Sequence, residues 1–217
     1  MRERVLDRIT AAGIIPIVRA PSSDLAMRAV DAIRAGGIDV VEVTMTVPGA
    51  LSLIDTLAKQ FGDTVVVGAG TVLDAETARA CVIAGAAFVV SPVVDEATIR
   101  CCRTHGVPMI PGALTPTEIL GAVRIGADMI KVFPCSALGG SQYIRALKAP
   151  LPHVRLLPAG GVSLQTVGDF IRAGASAVGV GADLVDIGQI RDGRTHEVTE
   201  NARRFVEAIA RARGMSS

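Results

Sequence analysis

Ala35-Gly36-Gly37-Ile38-Asp39-Val40-Val41-Glu42-Val43-Thr44-Met45 carries a stop, a start and an anomaly in one stretch. The Ala-Gly pair ends a helical pattern. The β-branched run that follows is too short for a helix and reads as a strand buried on both faces. Inside that run stands a carboxylate, Glu42. The same glycine-then-strand junction returns at Gly85-Ala86-Ala87, Gly126-Ala127-Asp128 and Gly174-Ala175-Ser176, before every second β-rich run of the chain.

Working outward, eight such runs appear, at 14–19, 40–45, 65–71, 88–92, 108–112, 129–134, 154–161 and 177–184. Between them, segments 22–35, 48–61, 74–84, 94–105, 115–125, 139–148 and 163–173 carry apolar stripes near helical period, and an eighth spans 195–210. Ser22, Ser23, Asp74 and Ser163 stand where N-caps are expected. Residues 1–12 are a candidate extra N-terminal helix. Repeated βα units in one chain of this length predict an α/β fold of the (β/α)8 TIM-barrel type, as a single domain over 1–217. The competing fold is a doubly wound open sheet. It needs a glycine-rich nucleotide fingerprint, but Gly68-Ala69-Gly70-Thr71 lacks the third glycine and no Walker A sequence occurs.

Composition narrows the function. Half of the 217 residues are hydrophobic and a fifth are charged, with a formal net charge of +1. A chain this apolar offsets its conformational entropy by burial, so disorder is excluded. Near-neutral charge, five Phe, one Tyr and no Trp argue against nucleic-acid partners, which require basic surface and stacking platforms. Neither a signal peptide nor a long unbroken apolar run is apparent, so a cytoplasmic protein with no membrane partner is expected. Four cysteines, two of them adjacent, favour reduced thiols. His105, His153 and His196 are far apart and no CxxC pair exists, so no metal is expected.

Catalytic groups of a barrel sit at the carboxyl ends of its strands, so polar residues within apolar runs are the informative ones. Glu42 is one; Lys131, in Met129-Ile130-Lys131-Val132-Phe133-Pro134, is the other. Arg19 ends the first run and Thr71 the third, and two-residue alternation lets all four meet in one cavity. Lys131 and Glu42 have two readings. One is a buried structural ion pair, which is rarely stabilising relative to apolar packing. The other is a nucleophilic amine with an acid-base neighbour: an apolar enclosure strips hydration from the ammonium, and the free amine attacks carbonyls. Glycines after the last two runs, in Pro158-Ala159-Gly160-Gly161-Val162-Ser163 and Gly179-Val180-Gly181-Ala182-Asp183, are either turn glycines or a backbone cradle for phosphate or carboxylate.

Taken together, Ile15-Pro16-Ile17-Val18-Arg19, Glu42-Val43-Thr44-Met45-Thr46, Val67-Gly68-Ala69-Gly70-Thr71-Val72-Leu73, Pro111-Gly112, Ile130-Lys131-Val132-Phe133-Pro134 and Pro158-Ala159-Gly160-Gly161-Val162 resemble the class I aldolases of the 2-keto-3-deoxy-6-phosphogluconate (KDPG) and 4-hydroxy-2-oxoglutarate (KHG) family. The resemblance covers about residues 5 to 210. It implies a Schiff base on Lys131, with no metal or other cofactor, and acid-base catalysis by Glu42 through a bound water. Arg19 and Thr71 are implied to hold the carboxylate of a small 2-keto acid substrate, Phe133 to pack against that acid, and Pro92 to line the site. Core packing is the competing reading for Phe133.

Gly160, Gly161 and Gly181 are implied to bind a distal phosphate. Thr46 stands at a further substrate position, where the best-known KDPG aldolases carry Arg; Ala182 replaces a Ser. Both departures remove polar contacts from the anion rim. The implied reaction is cleavage of KDPG to pyruvate and glyceraldehyde 3-phosphate, with KHG cleavage to pyruvate and glyoxylate as a second activity. Its alternatives are an aldolase for the galactonate epimer (KDPGal), a phosphate-binding barrel isomerase or epimerase, and a noncatalytic ligand sensor. Family members are homotrimers, which suits a mean hydropathy of +0.46.

Overall fold

Helix starts are set by short polar side chains. Ser22 and Asp74 each accept the backbone N–H three residues on, opening α2 (Ser23–Ala35) and α4 (Ala75–Ile83). Asp95 does the same for α5 (Glu96–Thr104), and Thr115 forms a capping box with Glu118 at α6 (Pro116–Ile125). Each such cap satisfies an otherwise orphaned donor and contributes about 1 kcal/mol. Gly126, at φ 115°, turns the chain out of α6 in a conformation that favours glycine. The computed structural model describes residues 1–214.

The strands are β1 (Ile14–Val18), β2 (Val40–Thr44), β3 (Val66–Gly70), β4 (Phe88–Val90), β5 (Met109–Ile110), β6 (Gly112–Ala113), β7 (Ile130–Val132), β8 (Leu156–Pro158) and β9 (Val178–Val180). All pairings are parallel. One sheet runs β5-β4-β3-β2-β1-β9 and a second runs β6-β7-β8. The remaining helices are α1 (Arg2–Ala12), α3 (Ala50–Phe61), α7 (Ser141–Lys148), α8 (Val167–Arg172), α9 (Ile187–Arg191) and α10 (Thr195–Ala212). Among the described residues, no helix is long and apolar enough to cross a membrane.

Strand alternation separates two cores. Val41 and Val43 of β2, with Ile130 and Val132 of β7, pack outward with the helices. Val40, Val66, Phe88, Ile110, Met129 and Leu157 form an inner cluster, joined at its amino end by Val5 and Ile9 of α1. Full burial of each Val, Leu, Ile or Phe contributes roughly 1.5–3 kcal/mol. The same alternation sends Glu42 and Lys131 to the inner side.

Several expectations are corrected. The fifth run, expected as one strand over 108–112, is split at Pro111 into β5 and β6. Proline has no N–H to donate into a ladder. Its carbonyl still accepts from the Lys131 N–H at 2.9 Å, so the chain passes from one sheet to the other without a break. At the opposite edges the sheets are joined by a parallel bridge between Ala159 and Gly179. Ser163 does not cap α8: its own N–H donates to Thr166 Oγ1 at 2.9 Å, and the helix starts only at Val167. Ser23 donates to the Pro48 carbonyl instead of capping α2. The helix expected from 139 begins at Ser141, after a short 3-10 turn over Cys135–Leu138. Helix α9 was not expected; Asp186 starts it by accepting from the N–H groups of Gly188 (2.8 Å) and Gln189 (3.2 Å).

Candidate active site

Lys131 lies at the middle of a three-residue strand flanked by two outward apolar side chains, and its register pairs it with Gly112 on one side and Leu157 on the other. It is 6% exposed. Glu42 is paired in register with Ile17 and Gly68 and is 1% exposed. Neither Glu42 carboxyl oxygen has a hydrogen-bond partner. Desolvation therefore pushes the Glu42 carboxyl above the ordinary carboxylate range, while the positive charges of Lys131 and then Arg19 pull it back. A carboxyl held between these influences is suited to giving and taking a proton.

Above Lys131 the carboxyl ends of the strands open into a cavity of about 710 Å³. Its lining includes Arg19, Thr71, Pro92, Lys131, Phe133, Gly160 and Gly181, contributed by both sheets. The ammonium of Lys131 sits 5.3 Å from the centroid of the Phe133 ring. Phe133 is 42% exposed, so its position is the cavity wall and not the core. Thr71, immediately after β3, has φ 58°. For a β-branched residue this left-handed conformation costs on the order of 1–3 kcal/mol, and it occurs where the chain turns along the cavity.

Glu42, Thr46 and Gly161 are not among the residues lining this cavity; Glu42 lies buried behind its wall. Thr46 is exposed on the turn after β2, where it lines a separate groove with Met45 and Thr77. Its hydroxyl lies 2.7 Å from that of Thr44. Gly161 is also exposed, on the turn beyond Gly160. Two kinds of residue escaped sequence reading. Thr44, fully buried two positions beyond Glu42 on the same strand face, donates to the Val18 carbonyl at 3.3 Å and ties β2 to the end of β1. Alternation alone could have found it. Asp183 and Asp186 line the cavity near Gly181, placing carboxylates on a rim expected only to offer backbone N–H groups. No periodicity marks loop residues of that kind.

A family model for KDPG and KHG aldolase matches residues 5–201. The chain is 34% identical to the 2-dehydro-3-deoxy-6-phosphogalactonate aldolase of Escherichia coli, over 92% of this chain and 95% of that protein. It is 32% identical to the 2-dehydro-3-deoxy-phosphogluconate aldolase of Treponema pallidum, over 94% and 97%. Among solved structures, the KDPG aldolase from Legionella pneumophila, with pyruvate captured at low pH as a covalent carbinolamine intermediate, superposes with a TM-score of 0.85 at 28% identity, covering 92% of this chain and 96% of that one.

Proposed function

The chain belongs to the KDPG and KHG aldolase family, and from that premise we propose that it is a class I aldolase cleaving KDPG to pyruvate and glyceraldehyde 3-phosphate. It cleaves KHG to pyruvate and glyoxylate by the same route. The observation that carries this reading is a buried lysine at a cavity floor beside a buried, unpartnered carboxyl. A structural ion pair would bring the two into hydrogen-bonding contact, and Glu42 makes none.

The free amine of Lys131 adds to the C2 ketone, giving a carbinolamine. Glu42 protonates the departing hydroxyl, and the imine forms. A base, Glu42 acting through a water, removes the C4-hydroxyl proton. The C4–O bond becomes a carbonyl, the C3–C4 bond breaks, and its electron pair passes to the iminium as an enamine. The aldehyde leaves. Protonation of C3 gives the pyruvate imine, and water releases pyruvate and regenerates the amine. Arg19 and Thr71 hold the keto acid's carboxylate, Phe133 and Pro92 pack against its three-carbon unit, and Gly160 and Gly181, which line the cavity, receive the distal phosphate through backbone N–H groups. No cofactor takes part in this scheme beyond the covalent bond to Lys131.

The (β/α)8 barrel, a single domain over 1–217, a homotrimer and a cytoplasmic location complete the proposal. The barrel is supported by the two sheets meeting through Pro111 and through the Ala159–Gly179 bridge. The trimer is supported by exposed apolar side chains such as Leu73 and Ile83. Cleavage of KDPGal is the second reading, favoured by the 34% identical phosphogalactonate relative.

Borohydride reduction with pyruvate is the decisive experiment. It is expected to fix a stable mass increase on Lys131 in the native protein and none in the K131A variant, which should have no turnover. An isomerase, an epimerase or a ligand sensor would show no such adduct. Rates of pyruvate release from KDPG, KDPGal and KHG then rank the substrates.

A further inference from the structure

In the β2–β3 ladder, Glu42 is level with Gly68, and Thr44 is level with Gly70. The Glu42 side chain does not stay at its own level. It leans toward the carboxyl ends of the strands and comes to rest over Gly70: a Cβ built on Gly70 would lie 2.5 Å from Glu42 Cγ and closer still to Cδ and Oε1. Those three atoms of one side chain are its nearest neighbours. Gly70 is also absent from the residues with positive φ, so its own conformation is open to any amino acid. Space for the Glu42 carboxyl is the reason for glycine here.

We propose that Gly70 is a positioning residue for the reaction, its missing side chain being the slot that lets the Glu42 carboxyl run along β3 toward the carboxyl ends of the strands, where the cavity opens. The inference rests on the acid-base reading of Glu42. The carboxyl is fully buried and has no hydrogen-bond partner to hold it in place. Packing over Gly70 is the protein contact that sets its direction. A methyl group at this position displaces the carboxyl sideways or back toward the inner apolar cluster, out of line with the substrate.

The test is G70A, made alone and combined with changes at position 42. G70A is expected to lose about 10²-fold in kcat through misplacement of the proton-transfer group, with KM little changed. Its pH profile should lose the limb that Glu42 provides, while pyruvate and borohydride still label Lys131. Asp is one methylene shorter and vacates the slot, so adding G70A to E42D should cost far less in kcat than adding it to the native protein. Equal cost in the two backgrounds overturns the proposal. Should G70A fold poorly, stability reads the same coupling: E42A/G70A should melt within a few degrees of E42A, and an equal loss in both backgrounds sinks the idea. E42Q separates the two levels of argument. Slow E42Q with a G70A enzyme at native rate refutes the slot alone, whereas native-like turnover by E42Q refutes the role of Glu42 itself.

Discussion

Two charged side chains in apolar strands are costly to bury, and each is buried here with little compensation. Glu42 shows the consequence most directly, because it has no hydrogen bond and its carboxyl is driven upward by desolvation. Between the ordinary value of 4.5 and the raised native one, the unfolded chain ionises this group while the folded chain keeps its proton. Stability contributed by the neutral carboxyl is therefore lost as pH rises through that window. E42Q, neutral at every pH, should gain melting temperature relative to the native protein as pH rises above the ordinary value of 4.5. A difference between the two that stays constant with pH would count against the shift. The pairing of Lys131 with Glu42 was legible because each interrupts an apolar run. The slot at Gly70 was not, since it depends on which way a side chain leans across a neighbouring strand.

At the scale of elements, α1 closes the amino end of the inner cluster through Val5 and Ile9. Its orientation is held by Arg8, whose guanidinium reaches the Asp39 carboxylate and the Asp63 and Thr64 carbonyls. Surface ion pairs of this kind contribute little individually, so the buried apolar face should dominate. I9A is expected to destabilise by about 2–5 kcal/mol, measured by urea unfolding with an unchanged m-value. A loss below about 0.5 kcal/mol would show that α1 rests on the cluster without supporting it. The helix was visible in the sequence, but its function as a plug was not, because periodicity identifies an apolar face without identifying what it covers. The split of the fifth strand had a visible cause in Pro111, yet only the pairing partners reveal that the break lies between two sheets.

For the whole molecule, burial sorts the thiols. Burial pushes Cys81 and Cys135 up to about 11 and Cys102 up to about 12, with nearby acidic and thiol groups adding to it for Cys81 and Cys102. Cys101 is only half-buried. Iodoacetamide should therefore add one label to the native protein, at Cys101, and four after denaturation, as read by intact mass. Rapid native labelling of Cys102 would contradict the packing between α5 and the sheet. What the linear chain determined by itself is the alternation of strand and helix and the strand face on which Glu42 and Lys131 stand, because both follow from local periodicity and the cost of isolated charge. Tertiary structure alone decided which strand faces which, that Thr46 lines a separate groove while Asp183 and Asp186 reach the cavity, and that Glu42 rests on Gly70. Those relations depend on register and side-chain direction across strands, and neither is encoded in any one segment.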